Sequence, residues 1–156
     1  RPFAPSILSE HVSKWFEYEK DSPYMTFVAN VKNSIRKQLS KKEEKYVGIE
    51  KLKAKRSEIP AVTHVDFSSR IQTVHRDTNQ IYYDLIDEFN RITGFPILVN
   101  TSFNIRGEPI VCTPTDAFKC FMGTELDILV IDKFILKKEE QKPSKLNIFK
   151  NSYELD

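Results

Sequence analysis

The sequence predicts a mixed α/β fold. Segments with the apolar pattern of strands alternate with segments of helical periodicity, and the chain contains no internal repeat. A length of 156 residues fits one domain of common size, and 40% hydrophobic with 29% charged residues is typical of a soluble globular protein. The formal net charge of +2 neither requires nor excludes a nucleic-acid partner.

The amino-terminal part is predicted to contain one helix and one strand. Prolines at positions 2 and 5 favour an extended chain over residues 1–5, because each disfavours helix at the residue before it. Residues 6–18 are predicted as a helix, and residues 25–31 as a strand. The helix prediction depends on four apolar residues at helical spacing, namely Leu8, Val12, Trp15 and Phe16.

Residues 36–58 form a charged segment with nine lysines or arginines and four glutamates. Few apolar side chains interrupt it, so the pattern predicts a solvated helical excursion or a mobile loop. A basic patch that contacts RNA, or the phosphates of a ligand, is the alternative.

The middle of the chain contains the clearest helix. Residues 59–66 and 70–74 are predicted as two short extended segments, and residues 78–92 as a helix that ends at Gly94. A buried strand is predicted over residues 95–100. The apolar face of the helix consists of Tyr82, Leu85, Ile86, Phe89 and Ile92.

A second helix and two strands follow. Thr113, Pro114 and Asp116 have the residue types preferred at the N-cap, N1 and N3 positions of a helix. Residues 127–131 and 133–136 resemble strands. We therefore expect a domain over residues 1–136, with a basic insertion at about 36–58, followed by a polar tail over residues 137–156. Three apolar residues of that tail could dock on another surface, namely Leu146, Ile148 and Phe149.

The two cysteines, Cys112 and Cys120, do not form a CxxC pair, and the three histidines show no metal-ligand spacing. Both cysteines lie among apolar residues, so we expect buried free thiols, as in a reducing cytoplasm. No apolar stretch approaches the roughly 20 residues that span a bilayer, and we expect no secretory signal. The absence of an initiator methionine leads us to expect a fragment or processed domain of a longer protein.

The stretch from Leu98 to Pro109 is the most informative for function. An apolar strand ends in Asn100, Ser102 and Asn104, followed by Arg106 and a glycine. Ligands bind at strand ends in open α/β sheets, and arginine can hydrogen-bond two oxygens of a phosphate at once. An ordinary turn is the alternative, because asparagine and serine often bond to the local backbone.

Two further polar clusters contain an arginine beside an extended segment, one at Arg1 and the other between Thr63 and Arg70. If the fold joins the three clusters, three guanidinium groups line one pocket suited to a polyphosphate or an acyl phosphate. His64 is a candidate general base, although a lone histidine near a strand end is more often structural. Asp66 could hold His64, bind Mg²⁺ or cap a turn. The sequence has no Walker-type or dinucleotide-binding glycine motif, so side chains have to hold the phosphate.

Five blocks of this sequence resemble, in the same order, the C-terminal domain of the NodU/CmcH-type O-carbamoyltransferases. The first four are Arg1-Pro2-Phe3-Ala4-Pro5-Ser6, Ser22-Pro23-Tyr24-Met25, Ile59-Pro60-Ala61-Val62-Thr63-His64-Val65-Asp66 and Arg70-Ile71-Gln72-Thr73-Val74. The fifth runs from Asn100 to Val111. The resemblance implies a YrdC-like fold, which is a twisted sheet flanked by helices.

The resemblance also implies that this domain joins ATP and carbamoyl phosphate into carbamoyl adenylate with release of pyrophosphate. An N-terminal, metal-bearing domain of actin-like fold then transfers the carbamoyl group to a hydroxyl acceptor. ATP with Mg²⁺ is the implied cofactor, and no metal site is expected in this domain itself. Membrane and nucleic-acid partners are not expected, and a homodimer is left open. The residues assigned to catalysis are His64, Arg70 and Asn100, and those assigned to the ligands are Arg1, Thr63, Arg70, Asn100, Ser102, Asn104 and Arg106.

Three departures from the family pattern accompany this resemblance. The family has a lysine just upstream of Arg1, Phe67 stands where the family usually has glycine, and the basic segment is longer. Two other classes of function remain as alternatives. One is a non-catalytic module that binds nucleotide or RNA, and the other is a scaffold that only packs against the actin-like domain.

Overall fold

The computed structural model describes residues 3–105 and 107–142. Helices and strands are both present, so the prediction of a mixed α/β fold is confirmed. The chain divides into two compact units between Thr101 and Ser102.

Unit 1 is built on a four-stranded mixed sheet in the order β2-β3-β1-β4. Strand β1 pairs in parallel with β3 and antiparallel with β4, and β2 pairs antiparallel with β3. Strands β3 and β1 each pair with two neighbours and therefore form the centre of the sheet. The strands are β1 (Ala4–Leu8), β2 (Phe27–Asn30), β3 (Ser68–Val74) and β4 (Ile97–Asn100).

The predicted helix over residues 6–18 is wrong. Residues Ala4–Leu8 are strand β1, and the helical part is limited to a 3-10 turn over Ser9–His11 and a single turn, α1 (Val12–Trp15). All five residues of β1 are buried, so this strand lacks the alternation that would have distinguished it from a helix. The apolar residues of β1 also lie at helical spacing from those of α1, so the two segments together resemble one helix.

One face of the sheet packs against the amino-terminal turn and the loops. Ile7, Phe16 and Ile71 are fully buried in this cluster, together with Val31 and Val62. Trp15 packs against Phe95 with the two rings tilted and their centroids 5.4 Å apart.

Between β2 and β3, the charged segment forms two 3-10 helices, Glu43–Lys45 and Gly48–Lys53. An isolated bridge between Arg36 and Ser57 closes it at its base. Its seven lysines are exposed, which agrees with a solvated segment, whereas Arg56 is 5% exposed and donates to the carbonyls of Ala54 and Lys51. The predicted extended conformation over residues 59–66 is wrong at Pro60–Val62, which is a 3-10 helix.

Helix α2 (Gln80–Thr93) confirms the predicted helix and its end at Gly94, whose φ of 80° is the left-handed conformation that favours glycine. The side chain of Asn79 caps its first turn. Only Ile86 on the predicted apolar face is buried, where it packs against Leu8 and Val74. The other apolar side chains of α2 are half-buried or exposed, including Ile81, Leu85 and Ile92.

Unit 2 consists of helix α3 (Pro114–Gly123) and a hairpin of β5 (Ile128–Ile131) and β6 (Phe134–Lys137). Thr113 and Asp116 form the predicted capping box, with Pro114 at the first turn. One face of the hairpin packs on α3 through Leu129, whereas Ile128, Val130 and Ile135 on the other face are exposed.

The prediction of buried thiols holds for Cys120 and is wrong for Cys112, which is exposed. Burial raises the pKa of Cys120 to about 11, with a further contribution from Glu108. The apolar residues expected to dock from the tail, Leu146, Ile148 and Phe149, lie outside the described residues. Within the described ranges, no helix is long and apolar enough to cross a membrane.

Candidate functional site

The face of the unit 1 sheet that carries α2 is only half covered by that helix. Side chains alternate between the faces of a strand, so Arg70, Gln72 and Val74 share this face, with Ser6 and Asn100 beside them. Helix α2 covers the end at Val74. The other end is polar, and we call Ser6, Arg70, Gln72 and Asn100 the polar half-face.

Gln72 connects the strands of the polar half-face. Its Oε1 accepts hydrogen bonds from Ser6 Oγ at 2.6 Å and from Asn100 Nδ2 at 2.7 Å. Its Nε2 donates to the carbonyl of Pro23 at 3.0 Å. Three neighbouring strands and one loop are therefore joined through a single side-chain amide.

Arg70 lies next to this network on β3, opposite Val28 of β2. The register that pairs Ser6 with Gln72 places Ala4 level with Arg70, and Asn100 pairs with Ala4 on the other side. Arg70 and Asn100 therefore flank one small residue across three strands, with their Cα atoms about 10 Å apart. Arg70 is exposed, and none of the ion pairs among residues 3–105 and 107–142 involves it. An exposed guanidinium of this kind suits an anionic ligand.

The loop before β2 is fixed to β3 by Ser22, which is fully buried. Its Oγ donates to the carbonyl of Ile71 at 2.9 Å, and its backbone N–H donates to Thr73 Oγ1 at 2.8 Å. The carbonyl of Ser22 accepts from the N–H of Thr73. These bonds hold the next residue, Pro23, with its carbonyl against Gln72.

A cavity of about 460 Å³ opens beside this loop, and Gln72 is part of its wall. The remaining lining is mostly polar and aromatic. His75 Nε2 lies 3.1 Å from an Asp21 carboxylate oxygen at one side of it. The lining residues include Asp21, Pro23, Tyr24, Gln72, His75, Asp77, Asn79 and Tyr82.

The cluster around His64 forms a turn before β3. His64 Nδ1 lies 2.9 Å from Ser68 Oγ, and Ser68 donates to Asp66 Oδ1 from both its Oγ and its N–H. These hydrogen bonds lower the pKa of Asp66. Of the three roles considered for Asp66, the structure shows the capping of a turn. Phe67 within the turn has a φ of 64°, a conformation that favours the glycine usual in the family.

Thr63 is buried below this turn, where its Oγ1 donates to the carbonyl of Ile59 and lies 2.7 Å from Ser57 Oγ. A second opening of about 530 Å³ is lined by Leu52, Thr63, His64, Val65 and Asp66. His64 and Thr63 thus lie in a separate cluster from the hydrogen-bond network of Asn100.

The predicted residues after β4 belong to unit 2. Ser102 is exposed, and Asn104 uses its Nδ2 to bond the carbonyls of Ile105 and Glu108. Asn104 therefore stabilises a turn, which was the alternative interpretation of this stretch. Arg1 and Arg106 lie outside the described residues, so the pocket with three guanidinium groups stays a prediction for which only Arg70 is placed.

Sequence reasoning missed the roles of Gln72, Ser6 and Ser22. The alternation along residues 70–74 does place Gln72 on the face of Arg70. Its partners could not be found from that pattern, because they lie 66 and 28 residues away along the chain.

Comparison with known proteins agrees with the resemblance found in the sequence. The family described as carbamoyltransferase C-terminus matches residues 1–138. An uncharacterised protein of Synechocystis sp. is 55% identical over 141 residues, which cover 90% of this chain and 23% of that protein. Nodulation protein NolNO of Sinorhizobium fredii is 40% identical, with 92% of this chain and 18% of that protein covered.

Nodulation protein NolO of Bradyrhizobium diazoefficiens is also 40% identical, over 88% of this chain and 22% of its own length. The chain thus spans about a fifth of the length of the curated relatives it matches. The match over residues 1–138 and these identities show that the chain belongs to the carbamoyltransferase C-terminus family.

Proposed function

We propose that this chain binds ATP and carbamoyl phosphate as part of an O-carbamoyltransferase and forms carbamoyl adenylate from them. Membership of the carbamoyltransferase C-terminus family supports the class of reaction. The observation that carries the proposal is the exposed Arg70 on the polar half-face, beside the Asn100 network and without an ion-pair partner among the described residues.

The proposed reaction brings together two phosphate-bearing anions, which repel each other. For the atoms to balance, water has to release phosphate from carbamoyl phosphate, and a carbamate oxygen then displaces pyrophosphate from the α-phosphorus of ATP. Catalysis of such steps is mostly positioning and neutralisation of charge. Arg70 supplies positive charge, and Asn100 supplies neutral hydrogen-bonding groups for the carbamoyl group. Mg²⁺ enters with the phosphates of ATP, since it is commonly bound through phosphate oxygens and water.

Carbamoyl adenylate would then pass to the rest of the carbamoyltransferase for transfer to a hydroxyl acceptor. We place this step in a domain of actin-like fold, as the family resemblance implies. His64 is kept as a candidate proton acceptor in its own cluster, because its Nδ1 is oriented by Ser68 and its ring lines an opening.

Calorimetric titration of this chain with Mg²⁺–ATP and with carbamoyl phosphate tests the proposal, with the wild type beside Arg70→Ala. Loss of a charged hydrogen-bond donor is expected to raise the Kd for carbamoyl phosphate by at least about tenfold. Arg91→Ala is the matched control, because Arg91 is also exposed but is paired with Glu88 on α2. Its Kd should equal that of the wild type.

Equal binding by wild type and Arg70→Ala would remove Arg70 from the ligand site. Absence of any binding by the wild type, also in a longer protein that includes the lysine usual upstream of Arg1 in the family, would contradict the adenylate-forming role. A scaffold would then be the better interpretation.

A further inference from the structure

The hydrogen bonds around Gln72 fix the orientation of two side-chain amides in turn. The carbonyl of Pro23 can only accept, so the group of Gln72 that faces it has to be the Nε2 amide. The Oε1 of Gln72 therefore faces Ser6 and Asn100. Since Oε1 can only accept, Asn100 has to present its Nδ2 and not its Oδ1.

This orientation determines what Asn100 offers to a ligand. One N–H of its Nδ2 is used by Gln72, which leaves the second N–H and the Oδ1. No residue in the described ranges donates a hydrogen bond to that oxygen, and Asn100 is half-exposed. Asn100 can therefore accept from an amide N–H and donate to an oxygen of the same ligand.

We propose that Gln72 is a positioning residue that, held by the Pro23 carbonyl, turns the oxygen of Asn100 towards the ligand and so selects a carbamoyl group over an acetyl group. This inference rests on the proposed function. Carbamoyl phosphate and acetyl phosphate differ by an NH₂ in place of a CH₃ of similar size and share the same phosphate. Only the NH₂ can donate to Asn100 Oδ1, and a site built around such a bond rejects the analogue that lacks it.

The test compares the Kd of this chain for carbamoyl phosphate and acetyl phosphate, with inorganic phosphate as the reference for the shared anion. We expect the wild type to prefer carbamoyl phosphate by about tenfold or more. Equal affinity for the two acyl phosphates would overturn the inference and leave the proposed function standing. Binding of neither ligand, also in a longer protein that includes the lysine usual upstream of Arg1 in the family, would overturn both.

Two variants separate positioning from a merely structural role. Gln72→Met keeps the size of the side chain but has no hydrogen-bonding group, so the Asn100 amide is free to turn and the preference should fall to within about threefold of unity. Gln72→Glu loses the bond to the Pro23 carbonyl, but either oxygen of its carboxylate still accepts from Ser6 and Asn100. Gln72→Glu should raise the Kd for both anions, because it adds negative charge, but it should leave the ratio of the two Kd values unchanged.

An equal loss of affinity for both ligands in Gln72→Met, with an unchanged ratio, would overturn the positioning role. If Gln72→Met does not fold, the test uses the ratio of the two Kd values measured for Gln72→Glu. Loss of the preference for carbamoyl phosphate in Gln72→Glu would overturn the proposal. Gln141→Met in unit 2 is the matched control, since Gln141 also donates to a backbone carbonyl. Gln141→Met should show the same ratio of the two Kd values as the wild type.

Discussion

Replacing Ser22 with alanine removes one buried hydroxyl that fixes the loop before β2 to β3. Ser22 is fully buried, and its Oγ donates to the carbonyl of Ile71 at 2.9 Å. The variant removes this hydrogen bond in a place that water does not reach. A buried hydrogen bond contributes about 1 kcal/mol, so we expect the free energy of unfolding of unit 1 to fall by about 1 kcal/mol.

The assay is urea denaturation followed by the fluorescence of Trp15, the single tryptophan of the chain. Because Trp15 lies in the core cluster of unit 1, its fluorescence reports the unfolding of that unit. With a slope of roughly 2 kcal/mol per molar urea, the midpoint should fall by about 0.5 M. In thermal unfolding the same change corresponds to about 4–8 °C in Tm.

Ser9→Ala is the control for this experiment. Ser9 also donates from its hydroxyl, to Glu10, but in an exposed contact of 3.2 Å. Its loss should change the free energy of unfolding by less than about 0.5 kcal/mol. A shift for Ser22→Ala no larger than that for Ser9→Ala would refute the reasoning that the buried bond anchors the loop.

Three further predictions concern the helix cap and two titrating groups. Thr113→Ala should destabilise α3 by about 1 kcal/mol through loss of the capping box, measured by circular dichroism at 222 nm. At pH 8, Cys112 should react with a thiol reagent long before Cys120, whose pKa is raised to about 11 by burial and whose thiol is buried. The lowered pKa of Asp66 means that its contribution to stability is present above pH 3.8 and is lost as the pH falls through the lower folded value. Asp66→Asn should therefore flatten the decline of the urea midpoint below pH 3.8.

Two of these predictions have a matched control variant, and each has an outcome that would contradict it. Thr115→Ala, at an exposed position of α3, should leave the ellipticity transition unchanged, and an equal effect of both variants would contradict the cap. Equal reaction rates of the two thiols in the folded protein would contradict their different burial. Asp77→Asn, at an exposed position, should retain the wild-type acid dependence. The same flattening in both aspartate variants would contradict the role of Asp66.

Helix ends that are determined by residues close to them in the chain could be predicted from the sequence. Helix α2 ends where Gly94 permits a left-handed turn, and α3 begins where Thr113 and Asp116 satisfy each other's backbone N–H groups. Both signals lie within a few residues of the helix end they determine. Strand β1 could not be recognised, because a strand that is buried throughout shows no alternation.

The polar half-face was recognised only in part, because local residue types identify some of its members but not their partners. Arg70 and Asn100 could be chosen from their residue types beside predicted strands, and their role in a ligand site stays a prediction. The amide network that orients Asn100 depends on pairing between distant strands, which no local pattern encodes, so Gln72 was overlooked. Asn104 shows the opposite case, since its short-range bonds to Ile105 and Glu108 are those of an ordinary turn.

The parallel pairing of β1 with β3 has a consequence for how the protein folds. β1 pairs only with β3 and β4 in the sheet, so its nearest partner along the chain lies about 60 residues away. Closing so long a loop is slow compared with forming the β5–β6 hairpin, whose strands are joined by two residues. During synthesis, β1 leaves the ribosome long before β3 does. Ile7 and Leu8, which are fully buried in the folded protein, therefore lack the β3 side of the sheet until translation supplies that strand.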